Sequence, residues 1–356
     1  MTKAWLACVS CCLALALFGC GSGGPSSGAG ATTAPSSDNG VKKIQVGIVF
    51  DVGGKNDKGF NQSAYEGLQR ATRDLGIVEH DVESRSEKDI STNLEAMAEQ
   101  GYDLIFAVGF SQSDALKDVA TKFPNIKFAI VDGTVDLPNV RSLHFAEEQG
   151  SFLAGYLAGL MTKTNKVGFV GGMEIPLILK FQYGYQAGAL TSNPKVQILP
   201  AKFTNSWADV DLGKTAGDVL FASGADIVYH AAGKSGIGVI EAAKDAGKYA
   251  IGVDMDQDSL EPGSVLTSMV KRVDVAVYET TQDLKEGTFT AGTKVYDLGD
   301  GGVGLSPMTY TKDKIGAKNL KAIEAVSFQI TGGKIKVPYD EATYNAYIAG
   351  LKKGGA

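Results

Sequence analysis

The chain runs to 356 residues, with 34 basic and 40 acidic side chains and a formal net charge of −6. No cluster of basic residues offers the footprint a nucleic acid needs, so no nucleic-acid partner is expected. All four cysteines (Cys8, Cys11, Cys12 and Cys20) fall within the first twenty residues, which leaves the rest without disulfides, thiolate metal sites or thiol nucleophiles.

In chain order, Lys3 and the apolar or small run Trp5–Gly19 come first. That run is short for a membrane span but suits the core of a signal peptide. Leu17-Phe18-Gly19-Cys20 resembles the lipobox of bacterial lipoproteins, which implies a signal peptide over 1–19 and a lipid on Cys20. Residues 21–40 are almost all Gly, Ser, Pro, Ala or Thr, a flexible tether of about 22–27 Å mean reach. The expected location is the extracytoplasmic face of a cell membrane, with the lipid as the only membrane contact.

From Ile44 on, apolar runs alternate with amphipathic stretches. Ile44–Phe50, Asp103–Val108, Lys127–Val131, Lys166–Val170, Asp226–Tyr229, Tyr249–Val253 and Val265–Val270 read as buried strands. Helices are expected at Asp57–Leu75, Ile90–Gln100, Gln112–Lys122, Glu147–Met161, Asp209–Ala222 and Gly236–Ala246. Such alternation builds parallel sheets from right-handed βαβ units. The fold class is therefore α/β, with two doubly wound lobes facing a hinged cleft. The first lobe is expected to take 41–145 plus about 270–290, and the second 146–269 plus about 291–356. Gly150–Met161 carries a GxxxG pattern, but twelve residues after two glutamates suit a packed soluble helix rather than a membrane one.

Several enzyme signatures are set aside. Asp254-Met-Asp256-Gln-Asp258 opens like a calcium loop, but Ser259 and Val265 stand where that loop needs Gly and Glu. Gly233-Lys-Ser-Gly236-Ile-Gly238 has its glycines in the wrong order for a dinucleotide loop. His80, His144 and His230 lack metal spacing, and no nucleophile-and-base pair stands out. No enzyme activity, cofactor or metal is expected.

What remains is a set of groups at strand ends, where open α/β folds bind ligands. Asp51, Asp132, Gly233, Asp254 and Lys271 each follow or end a strand, and Phe60 and Asn61 open the helix after the first. Carboxylates accept from hydroxyl or ring N–H groups, lysine donates, and Phe60 and Trp207 offer faces to a planar base. Three acids against one lysine, with no arginine cluster, suit a nucleoside better than a nucleotide.

DVGGKNDKGFNQSAYEG from Asp51, FAIVDG from Phe128, FAEEQGSFLAGYLAG from Phe145, VGFVGGM from Val167, GADIVYHAAGKSGIGVIEAAK from Gly224, AIGVDMDQ from Ala250 and VLTSMVKRVDVAVYE from Val265 are spread along the chain. In these segments the chain resembles the basic membrane protein family of lipoproteins, and is similar to the purine nucleoside receptors that serve ABC importers. The resemblance implies a type I periplasmic-binding-protein fold with three crossing segments. It implies that Phe60 and Trp207 sandwich the base, that Asn61 and Asp132 read its edge, and that Asp51, Gly233, Asp254 and Lys271 hold the ribose. Phe203 is the rival to Trp207. The implied partners are a nucleoside and an ABC permease, with the protein itself a monomer. The family also has members that resemble riboflavin binders and regulatory proteins, so a flavin, a sugar, a signalling molecule or a sensory role is the alternative.

Overall fold

A computed structural model describes residues 43–354. The expected signal peptide, Cys20 and the linker lie outside the described residues. The chain first lays down β1 (Gln45–Phe50), α1 (Phe60–Leu75), β2 (Val78–Glu83), α2 (Glu87–Glu99), β3 (Leu104–Val108), α3 (Ser113–Lys122), β4 (Lys127–Val131) and β5 (Val140–Phe145). It then crosses into a second set. That set is α4 (Glu147–Met161), β6 (Lys166–Gly171), α5 (Pro176–Ser192), β7 (Gln197–Ile198), β8 (Lys202–Phe203), α6 (Val210–Ala222), β9 (Ile227–Ala231), α7 (Gly236–Asp245), β10 (Tyr249–Asp254) and β11 (Val265–Lys271). A return visit supplies α8 (Val273–Glu286) and β12 (Gly292–Tyr296), before β13 (Val303–Leu305), α9 (Lys312–Thr331) and α10 (Glu341–Gly354).

The two sheets repeat one plan. The first runs β12-β5-β4-β3-β1-β2, parallel throughout. The second runs β13-β11-β10-β9-β6-β7, with β8 also on β6 and only β13 antiparallel. Alternation along the strands explains the layering. Val46, Ile48 and Phe50 of β1 face the side of α1, with Ala64 and Leu68, while Val49 joins Leu94 of α2 and Leu116 of α3. The α/β architecture with two parallel-sheet lobes is the one the strand–helix alternation implies.

Three segments join the lobes: Phe145–Glu147, Lys271–Val273 and the stretch after Tyr296. The last crossing was expected near residue 290. It comes later because β12 pairs in register with β5, Gly292 opposite Arg141 through Tyr296 opposite Phe145, and so belongs to the first sheet. The first helix also starts later than expected, at Phe60 rather than Asp57. Asp57 is spent as its cap: its carboxylate accepts from the N–H groups of Gly59, Asn61 and Gln62 at 2.9, 2.9 and 3.1 Å. The glycines of α4 and α5 let these helices meet backbone to backbone, where a side chain at Gly155 or Gly188 would overlap the facing main chain. No helix among the described residues is long and apolar enough to cross a membrane.

Candidate ligand-binding site

Between the lobes lies a cleft, and all eight residues named above as ligand groups line it: Asp51, Phe60, Asn61, Asp132, Trp207, Gly233, Asp254 and Lys271. Each arrives from the C-terminal end of a strand or from the turn beyond it. Asp51 follows β1, where its Oδ1 accepts from the N–H of Val52 at 2.7 Å and its Oδ2 from the Ser111 hydroxyl at 2.8 Å. The turn after β3 must be glycine there. Gly109 has φ +114°, and a Cβ on it would stand 2.5 Å from Asp51 Oδ2. Phe60 and Asn61 open α1, and the buried Asn61 Oδ1 has no protein partner.

Lys271 ends β11 only 1% exposed. Its ammonium donates to Asp132 Oδ2 at 2.6 Å and lies 3.1 Å from Glu147 Oε1. Glu147 in turn meets Lys180 at 3.3 Å. The rings of Phe145, Phe60 and Phe181 surround the same nitrogen at 4.9, 5.2 and 5.6 Å, a cation–π shell that lessens the cost of its burial. Burial works against its charge, but Asp132, Glu147 and Asp254 together outweigh that and hold the ammonium above the usual lysine range. Burial lifts the Asp132 carboxyl to about 6 in spite of the pull from Lys271. Its second oxygen, Oδ1, is buried without a partner.

Asp254 closes β10 on the opposite lobe. Its side chain accepts no hydrogen bond among the described residues, and it is almost fully buried. Burial raises its carboxyl to about 7, with Asp57, Asp132 and Glu147 adding to the rise and Lys271 opposing it. Asp132 and Asp254 both sit at left-handed φ, +64° and +66°, a conformation non-glycine residues rarely hold. Strain of this kind tends to persist where it places a functional group.

The second lobe supplies the other aromatic wall. Trp207 lies over Gly172, where any side chain would overlap the indole. Its carbonyl accepts from the N–H of Ser235 at 3.3 Å, and Gly233 turns beside it at φ +55°. Phe110, from the turn after β3, meets the indole edge-on across the seam at 6.4 Å. The rival Phe203 is on β8, packed against Gly171 and away from the cleft lining.

Three charged or aromatic lining groups were missed by sequence reasoning. Phe110 occupies a strand-end position like the others and was legible as such. Phe181 was not, because it lies on α5, whose apolar residues run around the whole helix. Asp57 lines the cleft but spends its oxygens on the helix start. Among the described residues no group of three or more His, Cys, Asp or Glu is placed to hold a metal ion. The cleft as a whole offers aromatic and aliphatic walls, spare acceptors on Asn61, Asp132 and Asp254, and a single cation already committed to carboxylates. Such a lining suits a neutral ligand with hydroxyl or N–H donors better than a phosphate.

Comparison with known proteins agrees with that geometry. Residues 44–341 match the sequence model of the Bmp family, described as ABC transporter substrate-binding proteins, PnrA-like. The chain is 39% identical over 324 residues to the CD4+ T-cell-stimulating antigen of Listeria innocua, covering 85% of this chain and 90% of that protein. It is 37% identical over 320 residues to the ABC transporter nucleoside-binding protein BmpA of Lactococcus lactis, covering 83% and 89%. The crystal structure of an ABC transporter solute-binding protein from Aeropyrum pernix superposes with a TM-score of 0.77 at 30% identity, covering 87% of this chain and 98% of that one. The two-lobed sheet plan is therefore that of type I periplasmic binding proteins, and the chain belongs to the Bmp family of PnrA-like ABC transporter substrate-binding proteins.

Proposed function

We propose that this protein captures nucleosides, purine nucleosides in preference, by closing its lobes around them, and delivers them to an ABC importer. The observation that carries the reading is a pair of buried acceptors without a protein donor, Asn61 Oδ1 and Asp132 Oδ1, with the largely buried Asp254 carboxyl beside them in a cleft also lined by Phe60 and Trp207. A buried acceptor left unmade is expensive, so the ligand has to bring donors. A ribose brings hydroxyls, and a purine brings N–H groups and a flat face for the two rings. In this reading Phe60 and Trp207 stack the base, Asn61 and Asp132 read its edge, and Asp51, Gly233, Asp254 and Lys271 surround the ribose. The similarity to a nucleoside-binding relative supports the ligand class.

The lobes work as jaws. Contacts from both lobes to one ligand favour the closed state by the difference in affinity between closed and open, and only that difference can drive closure. The protein acts as a monomer and catalyses no reaction. The lipobox at Cys20 fixes it to the outer face of the membrane, where the tether after it keeps the folded body near its permease.

Isothermal titration of residues 43–356, unfolded and refolded to strip carried-over ligand, tests this against adenosine, guanosine, inosine, cytidine and uridine. Submicromolar binding of the purine nucleosides at one site per chain is expected. Heat only with riboflavin or ribose would replace the nucleoside reading with another ligand of the same fold.

A further inference from the structure

Gln257 lies outside the cleft lining, yet its side chain is held on every side. Its Oε1 accepts from the backbone N–H of Val253 at 3.0 Å and meets His230 Nε2 at 3.0 Å, while the backbone N–H of Gln257 itself donates to the Ser268 hydroxyl oxygen at 3.0 Å. A backbone N–H can only donate, so the atom facing Val253 is the amide oxygen, and the His230 nitrogen facing that same oxygen must carry a proton. The amide orientation and the histidine tautomer are thereby fixed together. His230 is fully buried, its other ring nitrogen has no partner, and burial lowers its pKa to about 4, so the ring is neutral at physiological pH. Room for this arrangement exists because position 252 is glycine: a Cβ there would stand 2.6 Å from Gln257 Oε1 and 2.5 Å from Ser268 Oγ.

With its oxygen occupied inside the second lobe, the amide has its NH2 group free to point outward. It donates across the seam to the carbonyl of Lys58, at 2.9 Å. Lys58 holds φ +60°, and the next residue, Gly59, packs beside Asp254 and Gln257. Two residues further on are Phe60 and Asn61.

We propose that Gln257 is a positioning residue that clips the Lys58–Asn61 turn of the first lobe against the second lobe when the cleft closes, with His230 fixing the amide so that its donor faces Lys58. The proposal deepens the capture reading given above and rests on it for its kinetic test. The clip touches no ligand. It lengthens the lifetime of the closed state and so acts on release rather than on encounter.

Gln257→Glu separates this from a merely structural role. The carboxylate keeps an oxygen for Val253 and His230 but turns an acceptor toward the Lys58 carbonyl. For the full chain with radiolabelled inosine chased by unlabelled inosine, dissociation of Q257E is expected to be about 3–10-fold faster than wild type, the size of one lost hydrogen bond. Association rate should stay near wild type, while the denaturation midpoint falls, because Q257E adds a carboxyl to a buried position beside Asp254. His230→Leu, which frees the amide to flip, should show a smaller acceleration in the same direction, and it decides the matter should Q257E fail to fold. Unchanged dissociation in both variants overturns the clip. If the wild-type chain binds none of the nucleosides, the capture reading fails by itself. Small-angle scattering of the ligand-free chains then decides the clip alone: a wider envelope for Q257E than for wild type upholds it, and identical envelopes overturn it.

Discussion

Asp132 and Asp254 stand at the same place in their two lobes. Each comes at the end of the third strand from the β12 or β13 edge, β4 in one sheet and β10 in the other, and each holds the same unusual left-handed φ. Their surroundings differ. Asp132 gives one oxygen to Lys271 and belongs to a chain of alternating charges through Glu147 to Lys180. Asp254 is 7% exposed and receives no hydrogen bond among the described residues. One lobe thus carries a carboxylate that the fold has already placed and neutralised, and the other carries one that waits. In physical terms a poorly solvated carboxylate at Asp254 is costly, and a donor-bearing ligand would relieve it.

The largest effect should come from removing the cation both sides depend on. Lys271→Met leaves Asp132 buried without its counter-charge and Glu147 with Lys180 alone, and should lower stability by about 3–5 kcal/mol in chemical denaturation, with binding abolished. Burial raises both aspartates, but only Asp132 is paired with Lys271, so the two should answer substitution differently. Folding favours the neutral form of Asp254. Its contribution is full below pH 3.8, its unfolded value, and is lost as pH rises through about 7. Asp254→Asn should therefore stabilise the ligand-free chain at pH 8 by about 1–4 kcal/mol and flatten its decline in stability between pH 4 and 8. Asp132→Asn removes the acceptor of a charged hydrogen bond and should destabilise at pH 8 by about 1–3 kcal/mol. If both variants shift the same way, the two sites are not distinct in the manner described. Phe60→Ala should reduce nucleoside affinity by about 1–3 kcal/mol in titration calorimetry, and unchanged affinity would remove the stacking role. Phe203→Leu is the smallest change: because the ring packs on Gly171 away from the cleft, affinity should stay within about twofold of wild type.

Much of this was readable from the chain. β1, β3 and β4 are short apolar runs, buried on both faces, that end at a polar or glycine residue, so their ends and the groups just beyond them could be placed. The same logic brought Asp51, Asp132, Asp254 and Lys271 to one crevice. Edge strands were harder. β2 reads VEHDVE and β12 reads GTKVY, both half-solvated, so neither has the apolar run of a central strand, and missing β12 put the last crossing too early. α5 was invisible for the opposite reason, since it packs on several sides and shows no polar stripe. The bond between Lys271 and Glu147 could not be read at all, because it joins two crossing segments that only the folded hinge brings together.

Of the two tryptophans in the sequence, Trp5 and Trp207, Trp207 is the one among the described residues. Its indole faces Phe110 across the seam and borders the cleft. The described residues therefore carry one indole, selectively excitable above the tyrosine absorption, at the place where the jaws meet and a stacked base would arrive. Emission from that single indole will shift or quench as the site fills, so candidate ligands can be ranked and timed optically with no label and no change to the sequence.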